Sequence, residues 1–253
     1  LGKALKDGYR ERVKVATKLP TWLVKDRADM DRYLNAQLEK LGVERIDYYL
    51  VHSLNGPSWD DIEAKGVRDF LDQAKKDGRI VNAGFSFHGL GEDFARIVDA
   101  YPWEFCQIQY NYLDQEFQAG TAGLKYAASK GLGVVIMEPL RGGNLGLPTP
   151  PPAVAAMWDG AETGRTPVEW ALRWVWDHPE VTVVLSGMNE EEHIAQNLAI
   201  ANEAHAGSLT AEERELVDKV RRKYQELMQV GCTGCAYCMP CPAGGRSPSA
   251  SIS

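Results

Sequence analysis

The sequence of 253 residues predicts an α/β fold, a (β/α)₈-type barrel with two of its eight units missing. Short β-branched runs alternate with longer amphipathic segments, which is typical of parallel βαβ units. Polar side chains stand at or near the C-terminal end of all six runs, and in a barrel those ends converge on one mouth. No G-x-G-x-x-G follows any run, which argues against a dinucleotide-binding open sheet.

The predicted elements follow one another in a regular order. The strands are predicted at residues 13–18, 46–52, 81–88, 104–113, 133–139 and 181–187. Helical spacing of apolar residues separates them, as in 26–42 and 59–78, each of which ends at a glycine suited to a C-cap. A further helix is predicted near 209–228. Residues 139–165 are rich in Gly and Pro and predict a mobile loop over a bound molecule, with a plain linker as the alternative.

Composition and charge exclude several classes of function. The net charge is −7 and the Lys and Arg residues alternate with acids, so no basic face is available for nucleic acid. No apolar run has the length of a bilayer span, and the charged N-terminal segment does not resemble a signal peptide. The sequence therefore predicts a soluble, cytoplasmic protein with no nucleic-acid or membrane partner.

Four cysteines near the C-terminus have equal spacing. Cys232, Cys235, Cys238 and Cys241 form C-x2-C-x2-C-x2-C-P, which is one residue shorter in its last gap than the bacterial ferredoxin run. The spacing favours a 4Fe-4S cluster, with a Cys₄ zinc site as the alternative and disulfides disfavoured in the cytoplasm. The fifth cysteine, Cys106, lies in a predicted buried strand and is expected to be inert.

The motifs at the strand ends carry a family resemblance. They are ATK at 16–18, IDYYLVHS at 46–53, AGFSFHG at 83–89, QIQYNYLD at 107–114 and EPLRGG at 138–143. With the cysteine run, they make the chain similar to the aldo-keto reductase family, in its branch with a C-terminal ferredoxin-like 4Fe-4S motif. The resemblance implies hydride transfer from NAD or NADP to a small-molecule carbonyl substrate. It also implies a possible electron-transfer partner for the cluster.

The resemblance assigns roles to residues at the predicted barrel mouth. Lys18 would lower the pKa of a donor tyrosine, and His52 would orient or polarise the carbonyl group. The cofactor-binding residues would be Ser86, Gln107, Arg141, Ser186 and Asn197. From the residues alone, a strand-end lysine, a core histidine and loop-capping polar groups remain alternatives. Glu138 could be a solvated strand end, a partner of Arg141 or a site carboxylate.

Several positions depart from the family pattern. Phe87 stands where the family usually has asparagine, and MNEEEH at 188–193 stands where NADP-preferring relatives carry a basic residue. Three glutamates there would repel a 2′-phosphate, which makes NAD at least as plausible as NADP. The family's acid tyrosine and its aspartate partner would precede Leu1. The chain is therefore expected to be incomplete at both ends, without its first two units, and impaired in catalysis.

The expected domain organisation has three parts. Residues 1–207 would form the partial barrel, 208–230 a C-terminal helix, and 231–253 the cysteine-rich metal segment with a polar tail. An alternative function is a catalytically silent barrel that acts as a binding or redox-sensing module with structural zinc.

Overall fold

A computed structural model of the chain describes residues 1–228, in which six strands and ten α-helices alternate. The strands are β1 (Ala16–Leu19), β2 (Ile46–Leu54), β3 (Ile80–Phe87), β4 (Phe105–Gln109), β5 (Gly133–Met137) and β6 (Val181–Val184). The helices are α1 (Tyr9–Arg12), α2 (Arg27–Leu41), α3 (Gly56–Ala64), α4 (Val67–Lys76), α5 (Gly91–Ala100), α6 (Gly120–Ser129), α7 (Pro152–Asp159), α8 (Pro167–Trp176), α9 (Glu191–Glu203) and α10 (Ala211–Leu227). The strands follow chain order in one sheet, which matches the predicted βα alternation.

The end of β4 differs from its prediction because a side chain interrupts the strand. The predicted strand ran to residue 113, but β4 ends at Gln109. The Asn111 side-chain oxygen accepts hydrogen bonds from the backbone N–H groups of Leu113 and Asp114, both at 3.0 Å. This Asx-type turn takes the backbone out of the extended conformation. The other five strands are found near their predicted positions.

The described chain divides into two compact units. Unit 1 comprises Leu1–Ile108 and Glu116–Val135, and unit 2 comprises Gln109–Gln115 and the chain from Ile136 onward. Unit 1 contains β1–β3 and most of β4, and unit 2 contains β6 and α7–α10. The predicted division at residues 207 and 230 stays a prediction.

Parallel pairing in unit 1 fixes which side chains share one level of the sheet. Lys18 pairs with Leu50, and Ser86 pairs with Gln107. Close strand contact requires glycine at position 84, because a Cβ there would lie 2.6 Å from the carbonyl oxygen of Phe105. The register therefore brings the polar ends of neighbouring strands to the same edge.

Two helical predictions in unit 1 have different outcomes. Helix α2 begins after Asp26, whose carboxylate accepts the N–H of Asp29 at 3.0 Å, and it ends at Gly42 with φ 65°. This agrees with the predicted helix and its C-cap. The segment 59–78 was predicted as one helix but contributes to two, α3 and α4. Gly66 lies between them with φ 82°, a conformation that a helix cannot continue through.

The core of unit 2 is rich in tryptophan. Trp170 is fully buried, and its ring stacks on that of Trp158 with centroids 5.2 Å apart. Trp174 is buried as well, and it lies four residues from Trp170 on the same helix face. The predicted loop at 139–165 is wrong in part, because it contains α7. That helix begins with a proline in its first turn and buries Val154 and Trp158, four residues apart on one face.

Across residues 1–228, every helix falls short of the combined length and apolar character that crossing a membrane requires.

Candidate active site

Three basic side chains interact electrostatically at the strand ends of unit 1. Burial lowers the pKa of Lys18, which lies in β1. The pKa of His52, near the end of β2, is lowered to about 4, chiefly by burial and further by the charges of Lys18 and His88. The pKa of His88 is likewise lowered by burial and by Lys18. The structure thus brings the two predicted catalytic residues together and adds His88 to them.

The local backbone at His52 is irregular and held by side chains. The register of β2 against β3 shifts between Val51 and Leu54, and Ser53 adopts φ 57°. The Ser53 N–H donates to the Ser86 hydroxyl oxygen at 2.7 Å, and the Thr21 hydroxyl donates to the His52 carbonyl at 2.9 Å. A non-glycine residue in the left-handed region stores strain that these hydrogen bonds offset. The end of β2 is therefore fixed where the imidazole projects.

Trp22 packs against the histidine. Its ring centroid lies 5.1 Å from that of His52, and most of the indole surface is exposed. An exposed tryptophan beside a half-buried imidazole leaves an apolar wall at the site. Thr21 and Trp22 were missed by the sequence reasoning. The available signal was a tryptophan directly after the first strand, where a βα loop begins.

Ser86 and Gln107 lie side by side and are buried. The Ser86 hydroxyl oxygen fixes the loop at Ser53, which is the loop-capping role kept open from the sequence. A hydroxyl group that accepts one hydrogen bond can still donate another. The predicted contact of Ser86 and Gln107 with the cofactor therefore stays a prediction.

A cavity of about 540 Å³ opens beside His88 in unit 1. Its lining includes Asn55, the exposed apolar side chains of Leu90 and Phe117, and Gln118. A hydrogen bond with the Gln118 side chain raises the pKa of His88, against the larger lowering effect of burial. The cavity therefore combines apolar walls with a polar end that includes an imidazole.

A buried carboxylate organises the loop region of unit 2. Asp114 accepts hydrogen bonds from Gln109 Nε2 at 2.9 Å, Asn111 Nδ2 at 3.2 Å and Arg141 Nε at 2.9 Å. The Arg141 side chain is 3% exposed and that of Asp114 is 10% exposed. Arg141 thus contacts Asp114 in this structure, and its predicted cofactor contact stays a prediction. Asp114 was not identified from the sequence, because a single acid in a loop carries no spacing signal.

A second cavity, of about 490 Å³, lies within unit 2. Its lining includes Glu138, Pro139, Leu140, Gly142, Gly143 and Gly146 after β5, and Ser186, His193, Gln196 and Asn197 around α9. The Asn197 side-chain amide donates to the Ser186 hydroxyl at 3.0 Å. Two of the predicted cofactor-binding residues therefore meet at this cavity. Gly142 and Gly143 have positive φ angles of 64° and 97°, which favour glycine and leave the backbone accessible.

The predicted metal ligands lie outside the described residues, because the four C-terminal cysteines follow residue 228. Within residues 1–228, no group of three or more His, Cys, Asp or Glu side chains could hold a metal ion. Cys106 is fully buried, and burial raises its pKa to about 12. A thiol with that pKa is not ionised at neutral pH, which confirms the prediction that it is an inert core residue.

Comparison with known proteins identifies the family. The family model described as aldo/keto reductase family matches residues 1–148 and 158–222. Among solved structures, the chain is similar to the holo and apo forms of aldo-keto reductase AKR11C1 from Bacillus halodurans. Both are 24% identical, with TM-scores of 0.71 and 0.70, over 87% of this chain and 75% of that one.

A third similar structure is a thermostable aldo-keto reductase, Tm1743, in complex with the inhibitor epalrestat. It is 23% identical with a TM-score of 0.69, over 87% of this chain and 75% of that one. These likenesses confirm the predicted (β/α)₈-type fold. The match over most of its length shows that the chain belongs to the aldo/keto reductase family of NAD(P)-dependent oxidoreductases, which act on small-molecule carbonyl compounds.

Proposed function

We propose that this protein reduces a small-molecule carbonyl compound and that Lys18 and His52 are its catalytic residues. The observation that carries the proposal is the electrostatic coupling of Lys18, His52 and His88 at the strand ends of unit 1. Perturbed basic groups beside a cavity are typical of catalytic sites. NAD(P)H, when bound, supplies the hydride. The protein must then hold the carbonyl group and stabilise the negative charge that develops on its oxygen.

The protonation states suit this role. With a pKa of about 4, His52 is neutral at physiological pH and presents one ring N–H as a hydrogen-bond donor. Lys18 supplies positive charge in a partly buried place, where electrostatic interactions are stronger than in water. Together they would orient the carbonyl oxygen and stabilise the alkoxide that hydride transfer forms, which then takes up a proton from water to give the alcohol.

The cavity beside His88 is the proposed substrate pocket. Its polar end includes His88, which interacts electrostatically with Lys18 and His52, and its apolar walls include Leu90 and Phe117. An apolar pocket with few polar groups is typical of sites for small organic molecules. The carbonyl substrate is therefore proposed to carry an apolar body.

The cavity of unit 2 is proposed to bind the phosphate-bearing, adenosine part of the cofactor. Its glycine-lined segment allows backbone groups to approach phosphates closely, and Ser186 with Asn197 supplies side-chain hydrogen bonds. These residues fit such a ligand. Ser86 and Gln107 in unit 1 are proposed to hold the nicotinamide carboxamide, and Arg141 to support the cofactor site through its ion pair with Asp114.

We propose NAD rather than NADP as the cofactor. The exposed residues Glu190, Glu191 and Glu192 lie between the cavity-lining residues Asn189 and His193. Their negative charge would repel a 2′-phosphate. NADH should therefore bind more tightly than NADPH in calorimetry. Replacing Glu191 and Glu192 by lysine should shift the ratio of the NADPH and NADH affinities toward NADPH by about tenfold or more. The reason is that two charges several ångströms apart in water interact by about 1 kcal/mol. An unchanged ratio would contradict the assignment.

Steady-state assays with aldehydes test the catalytic proposal directly. Lys18→Met and His52→Gln should each lower kcat by roughly 10²- to 10⁴-fold, the range for loss of a proton-transfer or oxyanion group. The matched control is Lys76→Met, because Lys76 is an exposed lysine on α4. NADH affinity should stay unchanged in all three variants. Full activity in both site variants would exclude Lys18 and His52 as catalytic residues.

We also propose that the segment 231–253 is a separate metal-binding part that holds a 4Fe-4S cluster through Cys232, Cys235, Cys238 and Cys241. The support is the spacing of the four thiols in the sequence. A cluster would pass electrons to a protein partner. Anaerobic analysis should find iron and acid-labile sulfide, with a visible absorption that bleaches on reduction. Stoichiometric zinc, without colour and without nucleotide binding, would instead support a silent barrel with a structural metal.

A further inference from the structure

Glu138 has three unusual features in the cavity of unit 2. It follows the last residue of β5 and adopts φ 54°, a conformation that non-glycine residues rarely take. Its Oε2 atom is buried and has no hydrogen-bond partner within residues 1–228. Glu138 also lines the cavity. A buried polar atom without a partner is costly, by about 1–3 kcal/mol, and such an atom at a cavity wall points to a ligand.

We propose that the Glu138 carboxyl group binds the molecule held in this cavity by donating a hydrogen bond to one of its acceptor oxygens, such as a phosphate oxygen. This inference rests on the proposed function of the cavity as the site for the phosphate-bearing part of the cofactor. It adds a specific residue and a protonation state to that function.

Two hydrogen bonds fix the backbone at Glu138. The Glu138 carbonyl accepts hydrogen bonds from Asn111 Nδ2 at 3.2 Å and from the Arg141 N–H at 3.0 Å. Arg141 in turn directs its Nε to Asp114 at 2.9 Å. Arg141 therefore pairs through its Nε with Asp114, while Glu138 lines the cavity.

Burial and the neighbouring charges together shift the Glu138 carboxyl group toward its protonated form. Burial raises the pKa of Glu138 most, the negative charge of Asp114 raises it further, and Arg141 opposes both. On α9, His193 lines the same cavity, and Glu190, Glu191 and Glu192 are exposed at its first turn. A protonated carboxyl group can donate to an anion, whereas an ionised one can only accept and repels it. Anion affinity should therefore fall as pH rises through the pKa of Glu138.

ADP-ribose is the probe, because it carries the two phosphates without the nicotinamide and needs no catalysis. Calorimetry would measure its Kd between about pH 5 and about pH 9 for wild type, Glu138→Gln, Glu138→Ala and His193→Gln. Wild type should lose affinity by about ten- to hundredfold as pH rises. Glu138→Gln keeps a donor at every pH, so its affinity should stay high and nearly constant. Glu138→Ala should bind weakly throughout.

The His193→Gln variant tests the second polar side chain of this cavity, because His193 also lines it. This variant should keep the wild-type pH dependence if Glu138 is responsible. The same slope in Glu138→Gln as in wild type would overturn the role of Glu138 while leaving the cavity's function standing. No binding of ADP-ribose to any form would overturn the proposed function of the cavity, and this inference would fall with it.

Discussion

Replacing Asp114 by alanine removes one carboxylate on which three side chains of unit 2 converge. Arg141 and Asp114 are almost fully buried, and the Nε–Oδ2 distance is 2.9 Å. Without Asp114, the Arg141 guanidinium stays buried with an uncompensated charge, and breaking such a pair from one side costs about 3–5 kcal/mol. Gln109 and Asn111 lose an acceptor as well, but their contributions overlap with the same network and are not simply additive.

The assay is urea unfolding followed by circular dichroism, with a thermal scan beside it. The expected loss corresponds to a Tm decrease of roughly 6 to 20 °C, since about 1 kcal/mol shifts Tm by about 2–4 °C in chains of this size. The matched control is Glu215→Ala, which breaks a pair with Lys219 whose side chains are 63% and 51% exposed. An exposed pair contributes about 0–1 kcal/mol. If Asp114→Ala loses no more stability than the control, the buried network does not stabilise unit 2 as argued.

Three further predictions concern unit 1. Replacing Lys18 by Met should raise the pKa of His52 from about 4, measured by NMR titration, and an unchanged value would show that the two groups are not coupled. Because His52 resists protonation in the folded state, the unfolded chain takes up a proton between about pH 6.5 and about pH 4 that the folded chain refuses. The free energy of unfolding should therefore fall as pH falls through that window, and His52→Gln should flatten the profile in urea titrations. Gly84→Ala should lower the Tm, because its Cβ would clash with the Phe105 backbone at 2.6 Å, whereas Gly187→Ala, with open space around its Cβ, should not.

The positions of the strands and of the polar residues at their ends could be predicted because they depend on local sequence patterns. The β-branched runs located all six strands, and the polar residues at their ends located Lys18 and His52. The errors arose where one residue changes the backbone path. Asn111 ends β4 early through its own side chain, and Gly66 divides one apolar helical pattern into α3 and α4. Helix α7 was missed because the Pro- and Gly-rich composition outweighed its short apolar spacing.

The hydrogen-bond and ion-pair partners of side chains were harder to predict than the positions of strands and helices, because such partners often lie far apart in the sequence. Asp114 and Arg141 are 27 residues apart, and nothing in their spacing pairs them. The same holds for Ser53 and Ser86, whose hydrogen bond depends on a register shift in β2. Sequence reasoning named Ser86 as polar and well placed, but it left open whether its hydroxyl serves the loop or a ligand. The structure shows the first of these and leaves the second as a proposal.

The basic cluster of unit 1 predicts how catalysis should be distributed between binding and chemistry. The charge of Lys18 lowers the pKa of His52 and of His88, and His88 lowers that of His52 further, so additional positive charge is unfavourable there. Negative charge on a bound oxygen would be stabilised by Lys18 and by the neutral His52 N–H, and that charge develops in the transition state of hydride transfer. An interaction that strengthens only in the transition state raises kcat and leaves ground-state binding of the neutral carbonyl little changed. Lys18→Met and His52→Gln should therefore lower kcat while KM stays nearly constant; a selective rise in KM would instead make these residues ordinary substrate contacts.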